Sequence, residues 1–250
     1  MTDLALQLSV SDMTIRRDLD ILHDSGLIEK VHGGATARIE RSADEPGFEV
    51  KSLRNTNEKL AIANAAAALV RPGTAIGVTA GTTTWQLAYH LTEIADLIVV
   101  TNSIRVAEVL HQTPRADRTV ILTGGVRTPS DALVGPVAVQ ALRSLHFDLV
   151  FMGVHGMSAR AGFTSPNLSE AETNRAFVDA GHQLVVLADH TKWDVTGLSS
   201  FAALRDAHTV VTDTNLSGAA RVALDDQVGR LLLADPNDPE FAAIDMRKRA

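Results

Sequence analysis

Two adjacent guanidinium groups, Arg16 and Arg17, and a hydroxyl-rich glycine loop, Gly81-Thr82-Thr83-Thr84, are the parts of this sequence suited to hold phosphate. In the loop, glycine lets a ligand approach the backbone. The threonine hydroxyls donate, and a following helix would add free N–H groups and the positive end of its dipole. Taken alone, the same four residues also suit a simple capped helix start. Further polar loops add to the set. Asn102-Ser103 could cap a helix or bond a hydroxyl-rich ligand, Gly124-Gly125 with Arg127 offers a turn and an anion-pairing guanidinium, and Gly153-Val-His155 adds an imidazole. Glu170 lies just beyond Gly162-Phe-Thr-Ser-Pro-Asn, and Lys192 ends Asp189-His-Thr-Lys. A carboxylate is also favoured in the first turn of any helix, and a loop lysine is commonly just solvated, so neither residue is diagnostic singly.

The elements that must position these loops can be read from apolar spacing. A helix is expected over 57–70, stopped by Pro72-Gly73. Strand-like runs follow at 74–79, 97–101, 119–123, 148–154, 184–188 and 209–212, with helical patterns at 83–91, 103–111, 137–145 and 169–180 between them. Short apolar strands alternating with helices predict a parallel sheet covered on both faces, with ligands beyond the carboxyl ends of its strands. The polar loops all fall at those ends. Together they predict a sugar-phosphate pocket.

The amino-terminal stretch has another texture. Leu4–Val10 reads as a short helix, and Ser11 caps a second over 12–25 that Gly26 closes. Ile15, Leu19 and Leu22 form its packing face, leaving Arg17 nearly opposite with Thr14 beside it. Arg16 lies four residues from both Asp12 and Asp20, so surface ion pairs are open to it, whereas Met13 and Ile21 stand four residues from Arg17. A small hairpin carrying Lys30 and His32 is expected next. The expected divisions are a DNA-binding unit at 1–41, a linker at 42–56, a sensing domain at 57–234 and a tail at 235–250.

Composition narrows the classes. The chain has 250 residues, a formal net charge of −7 and no cysteine, so disulfides, thiolate metal sites and a cysteine nucleophile are excluded. No apolar run approaches the roughly 20 residues of a membrane helix, and a cytoplasmic location is expected. His23, His90, His111, His146, His182 and His208 show no metal-ligand spacing. Trp85 and Trp193 are expected to pack or to rim the pocket. No metal or cofactor is expected. Residues 1–41 hold five basic and seven acidic side chains, so DNA binding would depend on a few placed contacts and on oligomerisation.

Leu8-Ser-Val-Ser-Asp-Met-Thr-Ile-Arg-Arg-Asp-Leu with Gly26-Leu-Ile-Glu-Lys-Val-His-Gly-Gly-Ala resembles the winged helix-turn-helix of the DeoR family of bacterial repressors. The resemblance continues through Gly81-Thr-Thr-Thr, Val100-Thr-Asn-Ser, Leu122-Thr-Gly-Gly, Val134-Gly-Pro, Gly162-Phe-Thr-Ser-Pro-Asn and Asp189-His-Thr-Lys. It implies a winged helix-turn-helix, shortened by its first helix, followed by a Rossmann-like domain related to ribose-5-phosphate isomerase and glucosamine-6-phosphate deaminase. It further implies operator DNA read in the major groove by Thr14, Arg16 and Arg17 with the wing on the backbone, a sugar-phosphate effector, and a dimer or tetramer. Two departures stand out: Thr79-Ala80 where the family has Asp-Ser, and His155 where an Asn or Asp is common.

A repressor is therefore the leading expectation. A sugar-phosphate isomerase or deaminase would need a general base near the sugar's first two carbons, with Glu170 and His155 as candidates. A sensor that has lost DNA binding is the third reading.

Overall fold

The computed structural model describes residues 2–8, 10–24, 28–31, 34–37 and 47–238. At the amino terminus, α1 (Thr2–Leu8) and α2 (Asp12–Asp24) precede an antiparallel hairpin of β1 (Ile28–Val31) and β2 (Gly34–Ala37). Ser11 starts α2 as expected, its Oγ accepting from the Thr14 amide at 3.1 Å. Ala5 and Ile15 are buried, while Leu8 and Met13 are exposed. The expected Gly26 stop, the linker residues 42–46 and most of the expected tail lie outside the described residues.

The next elements are α3 (Phe48–Ser52), α4 (Thr56–Ala67), β3 (Ala75–Val78), α5 (Thr82–Leu91), β4 (Leu97–Thr101), α6 (Ile104–Gln112) and β5 (Arg118–Leu122). A two-stranded ribbon, β6 (Val126–Arg127) and β7 (Leu133–Val134), leads to α7 (Pro136–Leu142) and β8 (Phe147–Gly153). Then come β9 (Gly156–Ser158), β10 (Gly162–Ser165), α8 (Leu168–Ala180), β11 (Gly181–Leu187), β12 (Ser199–Ala202), β13 (Thr209–Asp213), α9 (Gly218–Asp225) and β14 (Leu231–Ala234).

Seven strands form one parallel sheet in the order β14-β13-β11-β8-β3-β4-β5. Alternation along each strand divides the core into two layers. Phe151, Val185, Leu187 and Val211 pack against α4, α5 and α6; Val150, Met152, Leu184, Val186 and Val210 pack against α7, α8 and α9. Gly77 makes room within the second layer, since a Cβ there would lie 3.0 Å from the Phe147 ring and 3.1 Å from that of Phe177.

The six expected strands all form, within a few residues of the expected bounds. Other features were not expected, the β6–β7 ribbon among them. Leu231–Ala234 adds an edge strand, and β9, β10 and β12 make a separate antiparallel sheet where the sequence suggests loop around Gly162–Ser165. These strands are three or four residues long, too short for a periodicity of their own to stand out. The expected linker also needs correction over residues 47–56. Phe48 is buried with its ring 5.4 Å from Trp85, and its amide donates to Pro129 O, so the sheet domain begins before residue 57.

Candidate functional site

Following β5 the chain returns to place β8 on the far side of β3, so the strand order reverses between β3 and β8. Loops leaving the carboxyl ends of strands diverge at such a point and open a crevice. A cavity of about 460 Å³ lies there, within the range of small-molecule sites.

Of the expected effector residues, Gly81, Thr82, Thr83, Asn102, His155, Glu170 and Lys192 line the cavity. Asn102 has a structural task within it: its Oδ1 accepts from the Ala80 amide at 2.9 Å and its Nδ2 donates to Leu133 O at 3.1 Å. Its carboxamide thus locks the glycine loop to the ribbon. Glu170 is held from two sides, accepting from Thr128 Oγ1 and Ser165 Oγ, each at 3.1 Å.

Five expected residues are placed elsewhere. Thr84 is fully buried and donates to Gly81 O at 3.0 Å, closing the first turn of α5. Ser103 is buried as the amino-terminal cap of α6 and accepts from the Val106 amide. Gly124 and Gly125 form the turn after β5; at φ +126° a Cβ on Gly125 would also meet Val134 O at 2.5 Å. Arg127 extends outward and pairs with Asp131, its Nε 2.7 Å from Oδ1. The polar groups of Thr84, Ser103 and Arg127 are thus taken up by neighbouring residues within the same local structure. The Thr79 departure is likewise internal: Thr79 is buried and its Oγ1 accepts from the Gly153 amide at 3.2 Å, tying the β3 and β8 ends together.

The cavity's positive pole was missed. Lys51, Arg54 and Lys59 line it together with Lys192, setting four cations against the carboxylates of Glu170 and Asp189. Lys59 is 4% exposed, and its ammonium donates to the carbonyls of Lys51 and Arg54. Burial lowers its pKa from 10.5 to about 8, against the opposing pull of Asp189 and with smaller pushes from Lys192, Lys51 and Arg54. A sequence signal existed for this residue. Lys59, Ile62, Ala63 and Ala66 share the buried face of α4, and a lysine in that register is rare without a task.

Asp189 stands beside these cations, on the loop that carries Lys192. It is 1% exposed, and its Oδ1 accepts from Asn55 Nδ2 at 3.1 Å, from the Thr191 amide at 3.1 Å and from the Thr191 hydroxyl. Its Oδ2 is buried without a hydrogen-bond partner. A buried carboxylate oxygen in that state carries a desolvation cost in the cavity wall. Next to it, His190 bonds through its amide and Nδ1 to fully buried Asp213 at 2.7 and 2.9 Å, which anchors the loop on β13. Trp85 packs between Phe48 and Tyr89, and Trp193 packs on the second core layer.

On α2, Thr14, Arg16 and Arg17 are exposed, and Thr14 Oγ1 shares a 2.8 Å hydrogen bond with Ser11 Oγ at the helix start. Lys30 stands on β1 opposite Ala35, and His32 lies outside the described residues. Among the described residues, no helix is long and apolar enough to cross a membrane, and no group of three His, Asp or Glu residues could hold a metal ion.

Comparison with known proteins fits both regions. Residues 54–214 match the DeoR C terminal sensor domain and residues 1–40 the DeoR-like helix-turn-helix domain. The HTH-type transcriptional regulator GolR of Listeria innocua is 36% identical over 218 residues, covering 87% of this chain and 85% of that protein. The lactose phosphotransferase system repressor of Staphylococcus epidermidis is 32% identical over 214 residues, covering 85% and 84%. Among solved structures, ribose 5-phosphate isomerase A of Methanocaldococcus jannaschii overlaps 56% of this chain and 55% of its own at a TM-score of 0.41 and 17% identity. The chain belongs to the DeoR family of helix-turn-helix transcriptional repressors of sugar metabolism, which carry a carboxy-terminal sugar-phosphate sensor domain.

Proposed function

We propose that the cavity between β3 and β8 binds one phosphorylated sugar, and that its occupancy changes the affinity of this chain for operator DNA. The observation that carries the reading is that one cavity is lined both by a cluster of cations and by hydroxyl-binding acceptors. Lys51, Arg54 and Lys192 supply charge for a phosphoryl group, with the Gly81-Thr82-Thr83 turn as a neighbouring source of donors. Glu170 and His155 supply partners for the hydroxyl-bearing part of the ligand. Arg16 and Arg17 read base edges or phosphate from α2, with Thr14 beside them and Lys30 and His32 on the wing. Two copies of the chain would present two such helices to a two-fold operator, and four would do the same in pairs.

No turnover is assigned to the site. Glu170 accepts hydroxyl hydrogen bonds from Thr128 and Ser165, which fix it in the cavity wall. A thermal-shift panel of D-fructose 1-phosphate, D-glucose 6-phosphate, D-ribose 5-phosphate and inorganic phosphate tests the reading. At least one sugar phosphate should raise Tm, its unphosphorylated sugar should not, and Arg54→Ala should abolish the shift. Conversion of any of these ligands to product, or no shift with any sugar phosphate, refutes it.

A further inference from the structure

Residues 47–55 do two things at once. They follow directly on the residues that join the sheet domain to the helix-turn-helix, and they carry Lys51, Arg54 and Asn55 into the cavity. Their anchors lie on opposite sides of the site. On one side Phe48 N donates to Pro129 O and Lys51 Nζ donates to Ser130 Oγ, in the ribbon loop beside β4. On the other, Asn55 Nδ2 donates to Asp189 Oδ1 and, at 3.2 Å, to Thr191 Oγ1, in the loop after β11. The segment therefore crosses the carboxyl end of the sheet from the β4 side to the β11 side, over β3 and β8.

Few apolar contacts hold it. Phe48 is the sole buried residue of the five-residue α3, and Asn55 at φ +51° turns the chain into α4 in a conformation uncommon for a residue with a side chain. The outer face is clamped by Arg105, whose guanidinium stacks 4.9 Å above the Phe48 ring while bonding Glu49 and Asp131, each at 2.6 Å. Asp131 also receives Arg127, so this clamp reaches the ribbon that borders the cavity.

We propose that residues 47–55 are a strap through which the cavity acts on the DNA-binding unit, with Phe48 and Arg105 as its positioning residues. The inference rests on the sugar-phosphate reading above. An anion drawing Lys51 and Arg54 competes with the bond from Lys51 to Ser130 and shifts the strap between its two anchors. The strap is the first described part of the sheet domain after the helix-turn-helix, and its displacement moves the point from which that unit is held. Phe48 and Arg105 do not line the cavity, so their loss affects transmission more than ligand binding. An element held by one aromatic ring and a handful of polar bonds has two arrangements of similar free energy within reach of a ligand's differential affinity.

The absence of cysteine allows a direct test. An environment-sensitive fluorophore on Leu53→Cys, an exposed strap position outside the cavity, should change emission when the sugar phosphate giving the largest Tm shift is added. A label on the exposed Leu198→Cys should not. In the native chain that ligand should change operator affinity by roughly 5- to 150-fold. Phe48→Ala should reduce the change to under about 2-fold while the ligand's Kd stays within about 3-fold, and Arg105→Ala, at a less buried position, should do the same. A full response in either folded variant, or a silent label at Leu53, overturns the strap while leaving the ligand site intact. If no sugar phosphate binds, the strap falls together with the site.

Discussion

The two matched regions of this chain solve the burial problem in opposite ways. In the sheet domain, apolar side chains alternate onto two faces and helices cover both, so the largest side chains disappear from solvent: Phe151, Phe163 and Phe177 are each 0% exposed. In the helix-turn-helix, Leu8, Met13 and Ile21 remain 63%, 77% and 56% exposed, and the described interior is Ala5 and Ile15. The first region can hold a cavity open with fixed polar walls, because surrounding packing resists collapse. In the second, the described apolar interior is smaller, and the Ser11 cap fixes the start of α2. Fixed polar walls therefore go with the region that recognises a ligand, and an exposed helix face with the region that meets DNA.

That contrast yields graded outcomes. The largest effect should come from Phe177→Ala, which removes a ring stacked 6.1 Å from Phe147 and should cost about 3–5 kcal/mol by the behaviour of large core truncations. Calorimetry should show the main unfolding transition moving down. A main transition left in place would mean that the sheet domain is not the stable body. Next in size, Arg17→Ala should weaken operator binding by about 1–3 kcal/mol without moving that transition or the ligand-induced Tm shift. Equal operator binding by both proteins would remove α2 from the role of reader.

The smallest effect is a pH dependence confined to the cavity. Lys59 has its pKa lowered to about 8, and a bound phosphoryl dianion favours its charged form. Ligand binding should therefore take up protons above pH 8, and affinity should fall as pH rises through that value, by at most about tenfold per pH unit. The folding linkage has its own sign. Between about 8 and the ordinary lysine value the unfolded chain binds more protons than the folded one, so Lys59 penalises folding less as pH rises across that window. Titration calorimetry in buffers of different ionisation enthalpy counts the protons. Operator binding by the ligand-free chain should lack the inflection near pH 8, and an equal inflection there would assign it to some other group.

Much of the architecture was legible because it depends on local periodicity. Leu97–Thr101 is a strand by composition alone, and the alternation of such runs with helical stretches leaves a doubly covered parallel sheet as the economical arrangement. The polar loops at strand ends followed from the same reasoning, and Gly81, Thr82, Thr83, His155, Glu170 and Lys192 do meet at one cavity. What sequence order could not decide was how each loop's polar groups are spent. Ser103, Thr84 and Arg127 belong to loops or elements as polar as those that line the site, yet each closes a hydrogen bond within its own neighbourhood.

The amino-acid sequence by itself determined the main strands and helices and the two textures, because caps, turn glycines and apolar spacing act over a few residues, and its longer motifs carried the resemblance to the family. Tertiary structure alone decided the charge of the cavity. Lys51, Arg54 and Lys59 lie more than 120 residues before Asp189, on a stretch whose spacing suggested a linker and then an ordinary helix. The crossing of residues 47–55 over the sheet's carboxyl end, with the start of α4, brings these opposite charges to one site. Such pairing is a property of long-range packing, to which a local pattern is blind.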